Sequence, residues 1–600
     1  MKNNRSMQWR GVLMLVMSVF TALYAESAAT AQKVRLMTFN VWMAGTNVTY
    51  GQNKVLNGIL SSGADIVALQ ETDDAFAKLL AERLHWHYYS SGDNTVLSRF
   101  PISATWNAQK AAGAVIKLEN NVAIAVQSVH TSAYPYGPYR ACLDEADLED
   151  IYKDEEKSSN RVPETVDALN ALQPYLAQGP VFMLGDFNSP SHLDWTEAAA
   201  SLHCDYVVDW PVTSLIAEKG FIDAYRQLYP DPTTHQGVTW STIYGNYHYS
   251  NGKAEPYDRI DYVFYAGAGV QPLDARVFVV GNPAQFPLHR WNEWPSDHAA
   301  VVADFAVETG SPVSAKPTAK FYASSAAVIV DETVQFTDIS TNSPTSWAWT
   351  FQGGDPSQSN EQNPRVIYHA PGLYSVKLVV TNAQGSDTFE VTNLIKVSSV
   401  EEPPSIELDK DDYDIEEPIT VSFVNGPGNP TDWIGIYKKG DMPMSVWSTL
   451  WLYVNGTQSA SKGLTDGYVT FTEGLKEAGD YWAGFFENDW YALMDSVAFT
   501  VGGGSKVAAK PTVPEGYTLS VSPNPFNPRT FITISLPQSE EISVEIYNLV
   551  GKKLFSLFQG KAPAGRIVMP FDASNLSSGI YVCRLTSGQQ ILSRKMLLLK

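Results

Sequence analysis

Between Lys33 and Glu308, apolar runs of strand length alternate with helix-period segments, and several of the runs break off abruptly at a polar residue. Val34 to Phe39 stops at Asn40, Ile66 to Gln70 at Glu71, Ala125 to Val129 at His130, and Val181 to Gly185 at Asp186. Helical patterns such as Phe76 to Leu84 and Glu164 to Leu176 lie between them, so the segment reads as mixed α/β. In layered α/β folds the strand ends are where sites are built, which makes these terminal residues the ones to examine.

Beyond Glu308 only strand signals remain. At 600 residues the chain is too long for a single core, and 44% apolar against 18% charged residues excludes wholesale disorder, collagen and coiled coil. A Gly/Ser/Pro/Ala/Thr stretch marks a linker at 309–319, Glu401-Glu402-Pro403-Pro404 a second, and Gly502-Gly503-Gly504-Ser505 opens a third over 503–515. They bound β-rich segments at 320–398, 405–502 and 516–600. At the N-terminus Lys2, Arg5 and Arg10 precede an apolar run from Gly11 to Tyr24 and a small-residue stretch ending at Ala31. That run of about 14 residues falls short of a membrane span, so residues 1–31 read as a secretory signal peptide and no transmembrane segment is expected in the mature chain. Of three cysteines, Cys142 and Cys204 are free to pair with each other in an oxidising compartment, or not to pair.

Each polar strand end has a chemical and a structural reading. Asn40 offers a carbonyl to a hydrated cation, or forms a turn. Glu71 ends a buried-type run in a carboxylate that is costly to desolvate without a cation, or caps the next helix. In Gly185-Asp186-Phe187-Asn188 the glycine admits close approach, and extended geometry aims Asp186 and Asn188 to one side. One can orient a nucleophile while the other donates to a phosphoryl oxygen; a plain turn is the alternative. Asp261 and His298 suggest a carboxylate that fixes the tautomer of a general base, with Asp297 beside it. Trp433, Trp447, Trp451, Trp482 and Trp490 of the third segment are either core or an aromatic platform, with core favoured at alternating strand positions.

Taken together, Asn40, Glu71, Gly185-Asp186-Phe187-Asn188, Arg259-Ile260-Asp261-Tyr262 and Ser296-Asp297-His298, in this order, resemble the endonuclease/exonuclease/phosphatase superfamily. The resemblance implies an α/β four-layer sandwich, two facing mixed β-sheets flanked by helices, over residues 32–308, followed here by all-β sandwich modules. It implies a phosphate ester substrate and Mg2+, or Mn2+ or Ca2+, as cofactor. Carried over by position, Glu71 is the principal metal carboxylate, with Asn40 and Asp297 near the ion. Asp186 and Asn188 orient the nucleophile and contact phosphate, Asp261 orients His298, and His130 matches the second histidine of secreted deoxyribonucleases, sphingomyelinases and inositol-polyphosphate phosphatases. Trp347-Ala348-Trp349-Thr350-Phe351 with Pro371-Gly372-Leu373-Tyr374 resembles a PKD domain, which implies spacing or adhesion. The Pro/Asn-rich Ser522 to Pro528 motif and the closing strands resemble the C-terminal sorting domain of type IX secretion, which implies export machinery as a partner and a secreted or cell-surface location.

The loop after His130 is the least generic part of the segment. Tyr136, Tyr139 and Arg140 either stack on a substrate ring and pair with phosphate, or pack on their own surface. A net charge of −22, with roughly 18 basic and about 33 acidic residues in the catalytic segment, argues against any stable nucleic-acid complex. The expectation is a secreted metal-dependent phosphoesterase acting on a phosphate mono- or diester. The alternatives are a secreted nuclease of the same fold and a non-enzymatic adhesion protein that keeps the domain as scaffold.

Overall fold

The computed structural model describes residues 31–245, 253–310, 315–399, 404–465, 467–502, 517–522, 529–538, 540–548, 552–562, 565–573, 576–577, 579–587 and 590–598. Residues 1–30 of the expected signal peptide, the linker at 503–515 and the Pro-rich turn after Ser522 lie outside them. In chain order β1 (Ala31–Asn40), α1 (Gly51–Ser62), β2 (Ile66–Gln70), α2 (Asp74–Leu84), β3 (His87–Ser91) and β4 (Asn94–Ser98) come first. Next are β5 (Ile102–Ala108), β6 (Ala111–Lys117), β7 (Ala123–His130), α3 (Gly137–Cys142), α4 (Leu148–Lys153), α5 (Arg161–Leu172) and β8 (Val181–Asp186). The segment ends with α6 (Pro211–Glu218), β9 (Ile222–Asp223), α7 (Ala224–Leu228), β10 (Asp261–Ala266), β11 (Val270–Phe278) and β12 (Ala300–Glu308).

Two six-stranded sheets result, ordered β11-β12-β1-β2-β4-β3 and β5-β6-β7-β8-β10-β9. Strand alternation sends Val34, Leu36, Ile66, Ala68 and Val96 of the first sheet into one core with Ile124, Val126, Phe182, Leu184, Val263 and Tyr265 of the second. The opposite faces bury Met37, Phe39 and Leu69 under α1 and α2, and Val129, Met183, Tyr262 and Phe264 under α5 and α6. This is the expected four-layer sandwich. On β1 the same alternation that turns Val34 and Leu36 inward also turns Asn40 inward at the strand end.

Helix α1 is buried on both sides, which its polar Asn53, Lys54 and Asn57 do not suggest. The module at 321–398 docks on the helix layer, a contact that the expectation of spacing or adhesion does not include. Asn57 Nδ2 donates to Ala323 O (2.9 Å), Asn53 Nδ2 donates to Leu394 O (3.0 Å), and Lys320 Nζ lies 2.6 Å from Asp65 Oδ1. Phe321 and Ala323 share a core cluster with Val55 and Ile59. The polar Asn53 and Asn57 thus satisfy backbone carbonyls of a second domain.

That module pairs a four- with a five-stranded sheet, and Trp349 and Phe351 sit in its core. The next, within 405–501, pairs a three- with a five-stranded sheet. Trp433 is buried there and stacks on Phe486 at 4.4 Å, as a core tryptophan should, whereas Trp447 is 86% exposed. The residues from Gly504 onward form a second compact unit, built on a three- and a four-stranded sheet.

One cross-strand pair gives a stability prediction. Arg35 on β1 faces Asp304 on β12 and grips it with two bonds (Nε 2.5 Å, Nη2 2.9 Å), while Lys33 Nζ adds a third contact at 2.7 Å. Burial would raise the Asp304 carboxyl, but these cations outweigh it and hold the group at about 2. A carboxylate depressed below its unfolded value near 4 contributes stability that is full above pH 4 and lost as pH falls through 2. Asp304→Asn is therefore expected to cost about 2 kcal/mol at pH 7, with the difference from the parent chain shrinking between pH 4 and 2 in urea titrations.

Candidate active site

Register puts three side chains in one row. His130 on β7 pairs with Asp186 on β8, and Asp186 pairs with Asp261 on β10. The β7–β8 approach requires Gly185, since a Cβ there would lie 1.9 Å from Val129 O. Asn40, at the end of β1 in the facing sheet, closes the gap: its Nδ2 donates to Asp186 Oδ2 (3.0 Å) and to Glu71 Oε1 (3.1 Å), and lies 3.5 Å from His298 Nε2. Residues that the sequence spreads from Asn40 to His298 thus share one buried point.

His298 precedes β12 and is held from three directions. Its Nδ1 donates to Asp261 Oδ2 (3.0 Å), its backbone N donates to Ser296 Oγ (3.0 Å), and its carbonyl accepts from Trp294 Nε1 (2.6 Å). Nε2 then faces Asp186 Oδ2 at 3.7 Å. Burial alone would lower the imidazole, but Asp261, Asp186 and Asp297 outweigh it and raise it to about 10. His130 has the same design: Nδ1 donates to Asp93 Oδ2 (2.7 Å), and Nε2 lies 3.7 Å from the same Asp186 oxygen. Its imidazole is also raised, burial being overcome by Asp93 and Asp186.

Asp186 stands between the two rings. Its Oδ1 accepts from the backbone N of Asn188 (2.8 Å), and Asn188, at φ 47°, donates one side-chain N–H to Thr131 O (2.9 Å). The second N–H of an amide remains for another acceptor. Asp186 is raised, first by burial and then by Asp261. Asp297 is pushed up to about 8, chiefly by burial, and its Oδ1 is buried without a partner.

The orphaned oxygen of Asp297, a second on Asp261, and the crowding of Glu71, Asp186 and Asp297 around two imidazoles form an environment that a hard divalent cation satisfies. Among the described residues, Asp186, Asp261 and His298 offer ligand atoms within 4.8 Å of one another, a set that differs from the expected Asn40, Glu71 and Asp297. Both sets meet at Asp186 Oδ2, through Asn40. Asn40 itself presents its NH2 to the acids, while its carbonyl accepts from Trp42 N (3.0 Å).

The expectation for the substrate loop is corrected. Tyr136 and Tyr139 are buried edge to face, at 5% and 7% exposure, so neither ring is a platform. The Tyr139 hydroxyl donates to Glu255 Oε1 (2.6 Å) and that of Tyr136 to Asp258 Oδ2 (3.4 Å), satisfying the phenols inside the fold. Arg140 is spent on Asp144 (2.7 Å) and Asp154 (2.9 Å). The Cys142 and Cys204 alternatives resolve to a disulfide, which ties the end of α3 to residues 62 positions later. Two participants escaped the sequence. Asp93 sits in Gly92-Asp93-Asn94, which reads only as a hairpin turn. Trp240, whose ring centre is 4.8 Å from that of His298, lies in a segment with no strand pattern.

Comparison with known proteins places this geometry. Residues 37–298 match the profile of the endonuclease/exonuclease/phosphatase family, 314–397 that of the PKD domain, and 520–599 that of the secretion system C-terminal sorting domain. An uncharacterized protein of Caenorhabditis elegans is 35% identical over 311 residues, covering 49% of this chain and 98% of the relative. An endonuclease/exonuclease/phosphatase family protein from Bacteroides thetaiotaomicron is similar in structure at 14% identity, covering 46% of this chain and 98% of its own, with a TM-score of 0.31. The PKD1 domain of the Vibrio cholerae metalloprotease PrtV is 32% identical over 14% of this chain and 98% of its own, with a TM-score of 0.12. The sorting domain marks the chain for type IX secretion, to the cell surface or beyond. Among the described residues no helix is long and apolar enough to cross a membrane.

Proposed function

Because the chain belongs to the endonuclease/exonuclease/phosphatase family, we propose that residues 32–308 hydrolyse a phosphate mono- or diester outside the cell, by in-line attack of an activated water, with a divalent cation as cofactor. The observation that carries this reading is the meeting of Asn40, His130 and His298 around Asp186 Oδ2, with Glu71 bonded to the same Asn40 amide. Glu71 and Asp297, with Asn40 beside them, would hold Mg2+, or Mn2+ or Ca2+, which supplies positive charge to the phosphoryl oxygens.

The chain's own residues supply the rest. Asp261 fixes the orientation of His298, so that Nε2 faces the reaction space; the acids around it keep the ring protonated in the metal-free chain, and its neutral form, which a cation sharing those acids' charge would favour, takes the proton of the attacking water. Asp186 orients that water, its second oxygen being immobilised by Asn188 N. His130, braced by Asp93, and the spare N–H of Asn188 donate to the phosphoryl or leaving oxygen as charge develops. Burial of Asp186 and His298 at 1% and 3% exposure keeps these bonds in a low dielectric, where they are strongest.

The test is a panel of phosphomonoester, phosphodiester, DNA, inositol phosphate and sphingomyelin, assayed with the secreted protein in Mg2+ and in chelator. Turnover of at least one substrate is expected to fall at least about a hundredfold on chelation and to return when Mg2+ is restored. Turnover indifferent to chelator would refute the reading, and none on any substrate would favour a scaffold.

A further inference from the structure

The backbone that supports Glu71 is unusual. Trp42, Met43 and Ala44 take φ of 47°, 57° and 56° in succession, and Gly45 follows at 73°. Left-handed backbone is disfavoured wherever a Cβ is present, so such a run persists only where its surroundings over-determine it. It wraps Glu71: Met43 N donates to Oε2 (3.0 Å) and Ala44 N to the Glu71 carbonyl (2.8 Å), while Trp42 N donates to Asn40 Oδ1 (3.0 Å).

Part of what holds the run comes from outside the catalytic sheets. The Trp42 ring is buried in a cluster with Tyr244 and Phe286, and Met444, Trp490 and Tyr491 of the second sandwich pack against that cluster. His289 reinforces it, with its ring centre 5.1 Å from Trp42 and stacked on Phe286 at 5.3 Å. The neighbouring Arg290 is pinned from both domains: its Nε lies 2.8 Å from Glu487 Oε2, and its carbonyl accepts from Thr49 N (2.8 Å). A continuous path therefore runs from Glu487 and Trp490 to the carboxylate of Glu71.

We propose that the sandwich at 405–502 is a positioning element of the catalytic centre, holding the Trp42–Gly45 segment, and with it Glu71, through Glu487 and Trp490. The inference rests on the reading of Glu71 as the principal cation carboxylate. Support one contact from a ligand commonly governs metal affinity by about 10- to 100-fold; Glu487 and Trp490 act through the Trp42 cluster, so the low end of that range is the quantity to measure.

The experiment titrates Mn2+ alone into the full secreted chain by calorimetry, beside its Glu487→Gln, Trp490→Ala, Trp490→Phe and Glu71→Gln variants, with circular dichroism as the folding control. Glu487→Gln and Trp490→Ala are expected to weaken the tightest Mn2+ event about tenfold. Trp490→Phe, which keeps an aromatic ring in the cluster, should stay within about twofold of the parent. Excess Mn2+ should restore turnover to the weakened variants, which a general loss of structure would not allow. Should Trp490→Ala unfold, Glu487→Gln, with its side-chain volume kept, carries the test. Parent-like Mn2+ binding in the Glu487 and Trp490 variants, with binding lost in Glu71→Gln, would overturn the inference and leave the site reading standing. Binding intact in Glu71→Gln would overturn both.

Discussion

Replacement of His298 by Ala is expected to lower kcat on any substrate the protein turns over by at least about a thousandfold, with KM moved far less. The imidazole reaches the reaction space only through Nε2, because Nδ1 is committed to Asp261 at 3.0 Å. The neighbours that could take a proton are committed elsewhere in this reading, His130 to the phosphoryl or leaving oxygen and Asp186 to orienting the water. Asp186 Oδ2 accepts from Asn40 and lies 3.7 Å from each of the two rings, so it is already shared. Asp261→Asn should fall between the parent and His298→Ala, since Asn can no longer fix the tautomer as a carboxylate does. The double variant should be little worse than His298→Ala alone, because the two residues act as one unit. The measurement is a set of steady-state constants at saturating Mg2+. A His298→Ala protein retaining more than about a tenth of the parent kcat would remove His298 from the proton-transfer role.

Much of this arrangement was legible from where the apolar runs stop. A strand with its inward alternation intact up to Leu36 must also turn Asn40 inward, and the same count places His130, Asp186 and Asp261 on the facing sheet. What the sequence did not carry were partners supplied by loops and by other domains. Asp93 is a turn residue by every local criterion, and only the pairing of β3 with β4 brings it to His130. Tyr136 and Tyr139 looked like surface aromatics because the acids that bury them, Asp258 and Glu255, are more than a hundred positions away. Helix α1 shows the general limit. Asn53 and Asn57 are polar for the sake of backbone groups at Leu394 and Ala323, and a periodicity reading has no means of telling a second domain from water. Linker composition over 309–319 implies nothing about whether the tethered module docks.

The largest stability loss is expected at Arg259, whose place in the Arg259-Ile260-Asp261-Tyr262 motif is structural. Its guanidinium is 3% exposed and spans two buried carboxylates. Nε and Nη2 donate to Asp194 at 3.0 and 3.1 Å, and Nη1 donates to Asp223 at 2.6 Å. The face of the Tyr262 ring lies 4.6 Å away. Burial opposes the charge, but Asp194 and Asp223 outweigh it and raise the group above its already high ordinary value. Arg226 shares Asp194, its Nε bonding Oδ1 at 2.5 Å, and its guanidinium does not reach Asp223, to which it gives its backbone N (3.3 Å). Arg259→Met would therefore take the cation from Asp223 Oδ2, leaving that acid only the N-cap bonds from Tyr225 N and Arg226 N to Oδ1, and leave Asp194 with one cation instead of two. Removing one partner of a buried ionic network costs about 3–5 kcal/mol, and urea unfolding of the full chain should show a loss of that size. Arg259→Lys should recover only part of it, since a single ammonium cannot reproduce a planar fork that reaches both acids. The loss should extend to catalysis, because Asp261 lies two residues further on and begins β10, the strand that sets the row with Asp186. A Met variant as stable as the parent would mean that the two aspartates are neutral or hydrated in the folded protein, and that the geometry of Asp261 is fixed by β10 pairing alone.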